Sequence, residues 1–163
     1  MEKKQPKICV DKNDMLSEEW LKNFKFFVMG EPKPQARPRG YRKGKHIGFY
    51  SPSTAWKDLV MKKAHDMSKR KVFSEPVIVR IDYQFKRPNS HYGTGKNAGI
   101  LKLSAPEFHI KKPDLDNLNK AILDALVDGG LISDDKLVIG LISEKGYTEE
   151  IQGALIEIVR AEG

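Results

Sequence analysis

The stretch from Asp114 to Gly130 constrains the fold more than any other. Leu115, Leu118, Ile122, Ala125 and Leu126 recur at helical spacing, Asp114 opens the run and Gly129-Gly130 stops it. A helix with one apolar stripe needs a surface to bury it against. That surface is supplied upstream, where Val77, Val79, Ile81, Tyr83 and Phe85 alternate with Arg80, Asp82 and Gln84 as in a half-buried strand. Further strands are predicted at Phe24–Met29, Leu137–Ser143 and Ala154–Val159. A helix capped by Ser53 or Thr54 carries Trp56, Leu59, Val60, Ala64 and Met67 on one face. The order β-α-β-α-β-β makes the chain α+β. Residues 1–23, with a short helix opening at Ser17, read as an N-terminal extension, and 24–163 as one domain.

Prolines 32, 34 and 38 with Gly30 and Gly40 exclude a regular helix after the first strand. Residues 87–112, rich in Gly, Ser, His and Lys, form a long loop, a kind that is usually functional or mobile.

The polar side of the helix bears the chemistry. Asp114 and Asp116 lie at its start, Lys120 and Asp124 follow at i, i+4 steps, and Asp134-Asp135 comes about twenty positions after the first pair. Carboxylates held close repel one another, and a bound cation relieves that repulsion. Mg²⁺ takes oxygen ligands and commonly one or two protein carboxylates. A hairpin-like return after Gly129-Gly130 would bring Asp134-Asp135 back beside Asp114 and Asp116. Each acid also has a structural reading: Asp114 as an N-cap, Asp116 as a first-turn acid facing the helix dipole, Asp134-Asp135 as a polar turn. Lys120 is either half of a weak surface pair with Asp116 or a phosphate ligand.

These acids sit in a basic chain. Lys plus Arg number 29 against 22 Asp plus Glu, a net charge of +7, which favours a polyanionic partner. Arg37, Arg39, Arg42, Lys43 and Lys45 cluster in one segment with Tyr41, Phe49 and Tyr50 nearby; Lys96, Lys102, Lys111 and Lys112 add a second basic group. Backbone phosphate is the partner these side chains suit, and the aromatics could stack on bases or belong to the core. The single cysteine, Cys9, excludes a disulfide framework and a cysteine-rich zinc site. With no apolar run near the length of a membrane span and no secretory signal, the expectation is a soluble, cytoplasmic, nucleoid-associated protein. His109 is the histidine nearest the acids, although a loop histidine is more often incidental.

The segment Lys112–Leu126, with Asp-x-Asp-Asn-Leu-x-Lys and an Asp-Ala-Leu helix end, followed by Asp134-Asp135-Lys136-Leu137-Val138, resembles the RusA family of Holliday junction resolvases. Gly30-x-Pro32-x-Pro34, Arg37-Pro38-Arg39 and Tyr50-Ser51-Pro52 are similar to that family's N-terminal half. The loop Arg87–Asn97 looks like the version in phages and prophages of Gram-positive bacteria. The resemblance spans about 24–160. It implies a small mixed β-sheet with helices packed on it, and a homodimer that nicks paired strands of four-way DNA junctions with Mg²⁺, Mn²⁺ being a substitute. Carried over by position, it makes Asp114, Asp116 and Asp135 the catalytic, metal-binding carboxylates, Lys120 the essential lysine, and Asp134 a less critical neighbour. Competing expectations are a non-catalytic protein that binds branched DNA and a nuclease for flaps. A phosphatase built on the Asp-x-Asp ranks below both, because Lys111-Lys112-Pro113 rather than an apolar strand precedes the pair.

Overall fold

A computed structural model of the chain describes residues 23–50 and 54–161. The expected extension and its helix at Ser17 lie outside the described residues. Among the described residues are six strands and two α-helices: β1 (Asn23–Met29), β2 (Arg39–Lys43), β3 (His46–Tyr50), α1 (Ala55–Ser68), β4 (Val77–Lys86), α2 (Leu115–Asp128), β5 (Val138–Thr148) and β6 (Gly153–Arg160). Four strands form a mixed sheet in the order β1-β6-β4-β5; β6 pairs antiparallel with both β1 and β4, while β4 and β5 are parallel. A parallel pair needs a crossover, and α2 is carried in it.

The alternation read from the sequence sets the layers. Val77, Val79, Ile81, Tyr83 and Phe85 of β4 are buried, and Ala154, Ile156 and Ile158 of β6 join them on the same face. Both helices belong to the core cluster on that face, α1 through Trp56, Val60 and Ala64, α2 through Leu118, Ile122, Ala125 and Leu126. Thr54 caps α1, its hydroxyl accepting from the Lys57 amide at 3.2 Å. The end of α2 is a Schellman turn: the Leu131 amide donates to the Leu126 carbonyl at 3.0 Å and that of Gly130 to Val127 at 2.8 Å, with Gly130 at φ +74°. Gly129 is needed for a separate reason. A Cβ there would sit 2.7 Å from both the Ala64 Cβ and the Met61 carbonyl oxygen, so α2 could not approach α1 so closely.

The α+β class and the order of elements agree with the sequence reading, with one addition. β2 and β3 pair as a separate two-stranded ribbon in a stretch where the sequence shows no strand pattern. Their residues are almost wholly exposed. A strand pair with no buried face has no apolar alternation to betray it.

Candidate active site

Helix α2 places the Asp114 end of the molecule. Asp114 is the N-cap residue, extended at φ −72° and ψ 143°, and its carboxylate makes no capping hydrogen bond. The purely capping reading of this residue therefore lacks its bond. Asp116 lies exposed in the first turn and Lys120 exposed one turn on. Among the described residues no ion pair joins Asp116 to Lys120. All three charged groups face solvent.

The buried side of the same turns anchors the backbone that carries those groups. Asn119, almost fully buried, accepts from the Tyr83 hydroxyl at 2.9 Å and donates to the Ser143 hydroxyl at 2.7 Å, tying α2 to β4 and β5. Burial pushes the Tyr83 phenol well above its ordinary range, so it remains a proton donor to Asn119. Lys145 of β5 donates to the carbonyls of Pro113 at 2.6 Å and Lys111 at 2.7 Å, clamping the backbone that leads into Asp114. The Lys112–Pro113 peptide in this segment is cis.

The second acid pair is divided by its hydrogen bonds. Asp134 caps the single 3₁₀ turn Asp135–Leu137, accepting from the Lys136 amide at 3.0 Å, and pairs with the Lys136 ammonium at 2.9 Å. That ammonium, with the amide, holds the Asp134 carboxyl below the usual range. Asp135 is exposed. Within one chain, however, Asp135 does not return to Asp114. It lies three residues before Val138, which pairs with Val77, whereas Lys145, which grips the Asp114 end, pairs with Tyr83. Seven strand residues span about 23 Å, and the 14 residues of α2 about 21 Å. Asp135 thus sits at the C-terminal end of α2, with Asp114 and Asp116 at the other. Among the described residues, no three His, Cys, Asp or Glu side chains gather as a metal site. Asp114 and Asp116 supply the hard oxygen donors Mg²⁺ accepts singly or in pairs, and so fit such an ion. Asp135 of the same chain does not reach it.

The basic residues form two groups around the Asp-x-Asp. The Gln35 amide donates to the Asn117 carbonyl at 3.1 Å, fastening the segment that leads to Arg37 beside the first turn of α2. Arg37 is exposed, and the ribbon beyond it carries Arg39, Arg42 and Lys43 on β2, with Lys45 in the turn. Tyr41, Phe49 and Tyr50 are 52%, 74% and 49% exposed, so these aromatics are not core. Lys111 and Lys112 lie exposed just before Asp114; Lys96 is exposed in a 3₁₀ turn, and Lys102 is tied to the Ser90 carbonyl at 2.9 Å.

His109 is buried and stacks on Phe85 at 4.0 Å, with Tyr147 at 4.9 Å. His91 meets Tyr147 edge-on at 4.8 Å. Burial, then the charges of Lys145 and Lys111, lowers the His109 pKa; burial first also lowers that of His91. These imidazoles pin the 87–112 loop to the end of the sheet as packing groups.

A model of the endodeoxyribonuclease RusA family matches residues 29–159. The chain belongs to the RusA endodeoxyribonuclease family. It is also 32% identical over 133 residues to YqaN, an uncharacterized protein of Bacillus subtilis strain 168, across 77% of this chain and 89% of that one. In this RusA-family chain, sequence reasoning missed Asn119, Tyr83, Ser143 and Lys145. Asn119 falls within the Asp-x-Asp-Asn-Leu-x-Lys stretch, and a polar residue on the inward side of an amphipathic helix is the signal that marks it. Lys145 has no local signal, since its partners are carbonyls more than thirty residues away.

Proposed function

We propose that this chain resolves four-way DNA junctions by paired strand nicks, as a homodimer that uses Mg²⁺, with Mn²⁺ able to replace it. The observation that carries this reading is the start of α2, where uncapped Asp114 and exposed Asp116 and Lys120 stand on a helix anchored from below, beside a segment that is fastened to Asn117 and leads into the basic ribbon.

When bound, a divalent ion supplies a Lewis acid and a lowered water pKa for phosphodiester hydrolysis. Asp114 and Asp116 would hold it by carboxylate oxygens. Lys120 would bind the scissile phosphate and stabilise charge that develops on its oxygens. Arg37, Arg39, Arg42, Lys43, Lys111 and Lys112 would grip flanking phosphates, with Lys96 reaching further along the backbone. Tyr41, Phe49 and Tyr50, held out on the ribbon, suit stacking on bases where a junction's centre is open. If Asp135 acts with Asp114 and Asp116, it has to come from a second copy, which gives the homodimer a chemical task.

The test incubates the full chain with four-way, flap and linear DNA, with and without Mg²⁺, and maps the cuts. Paired symmetrical nicks confined to the junction and dependent on Mg²⁺ are expected. Cuts at flaps alone would give the flap-nuclease reading, and binding without cutting the non-catalytic one. Mixing Asp114→Asn with Asp135→Asn protein should restore cutting that neither shows alone.

A further inference from the structure

We propose that Lys145 is a positioning residue for metal binding: its ammonium fixes the Pro113–Asp114 peptide, and through it the carboxylate with which Asp114 would hold a divalent ion. This inference rests on the reading of Asp114 and Asp116 as metal ligands and adds the group that seats the first of them. Lys145 pairs in register with Tyr83, whose side chain is fully buried, so its own side chain leaves β5 on the inward face. A lysine there is costly unless its ammonium is hydrogen-bonded. Its partners are two backbone carbonyls, that of Pro113 at 2.6 Å and that of Lys111 at 2.7 Å. Among the described residues no carboxylate pairs with it. The Lys145 carbonyl in turn accepts from the His109 amide at 3.3 Å, so one residue of β5 holds the approach to α2 at three points. Residues 110–113 make no backbone–backbone hydrogen bond of their own among the described residues. The Lys145 side chain supplies what secondary structure does not.

The peptide plane carries that grip to the acid. The Pro113 carbonyl belongs to the rigid plane that ends at the Asp114 Cα, and the proline ring fixes φ on the other side of it. Asp114 is extended there, at φ −72° and ψ 143°, and its carboxylate makes no capping bond that would tie it to the helix. Where its side chain starts, and which way the Cα–Cβ bond points, are therefore set by the backbone that Lys145 holds. Charge alone acts in the opposite sense. A cation beside a metal site repels the ion, so losing only that charge would tighten binding. The two effects of Lys145 differ in sign, and the sign can be measured.

Mn²⁺ binding to the full chain without DNA, followed by calorimetry, tests this apart from any cutting. Lys145→Met keeps the stem and removes the donors. Its Mn²⁺ Kd should rise by about tenfold, the lower end of the cost of losing a group that supports a metal ligand. Lys145→Arg keeps the charge and the donors and should recover most of that loss. Added to Asp114→Asn, Lys145→Met should bring no further loss, because it acts through that carboxylate. Each variant should keep the wild-type far-UV circular dichroism spectrum, and Lys145→Gln takes the place of a methionine variant that does not fold. A Lys145→Met protein that binds Mn²⁺ as tightly as wild type, or more tightly, overturns the proposal. So does a loss that arginine leaves unrecovered, or one that adds in full to that of Asp114→Asn. A wild type that binds Mn²⁺ no better than Asp114→Asn removes the metal reading of Asp114 itself, and this proposal with it.

Discussion

At the scale of the residue, two acids of the same type differ by what surrounds them. Asp134 is engaged with the Lys136 amide and ammonium, while Asp114, at a helix N-cap, makes no capping bond. Replacing Asp114 or Asp116 by Asn should lower junction cutting by about a hundredfold or more, the usual scale for losing one group that stabilises transition-state charge. Junction binding, followed by gel shift in Ca²⁺, should stay within a few fold, because phosphate contacts carry affinity. Cutting near the wild-type rate would remove that residue from the site. Arg37 and Arg39 belong to the same scale. Neutralising both should flatten the slope of log affinity against log salt by roughly 0.9 for each phosphate they neutralise, and an unchanged slope would take them off the DNA path.

At the scale of the element, α2 is a platform whose exposed chemistry depends on a buried polar chain, Tyr83 to Asn119 to Ser143. Asn119→Ala leaves two hydroxyls unpaired beneath the helix and should cost about 1–3 kcal/mol, measured by urea unfolding. Cutting should fall in the folded variant as well, because Lys120 follows directly on the same turn. The helix, its start and its glycine stop were legible because local periodicity and capping chemistry determine them. The β2–β3 ribbon was not, since an exposed pair leaves no alternation to read. The positioning role of Lys145 was hidden for a different reason, being made by carbonyls of residues 111 and 113.

At the scale of the whole molecule, the 87–112 loop is held on the sheet by two buried imidazoles. Both His91 and His109 have pKa values lowered from 6.5, mainly by burial. A base with a depressed folded-state pKa binds fewer protons folded than unfolded, so stability rises with pH through that window. Their contribution is complete above about pH 6.5 and is lost as pH falls below it. Unfolding free energy should therefore drop between pH 7 and pH 5, and His109→Phe should shallow that slope. A slope identical to wild type would show that His109 does not titrate with folding.

The sequence by itself determined the α+β order, the starts of both helices and the glycine stop of α2, the inward face of β4, and the clustering of candidate acids and bases along the chain. Each of these follows from short-range spacing, where one residue constrains the next few. Only the tertiary structure decided which residues meet. It set Asn119 on Tyr83 and Ser143, fastened the irregular segment before Arg37 to Asn117, and laid α2 along β5 so that Asp114 and Asp135 stand at opposite ends. Such contacts join positions tens of residues apart, and the path between them is a choice of packing that no local pattern records.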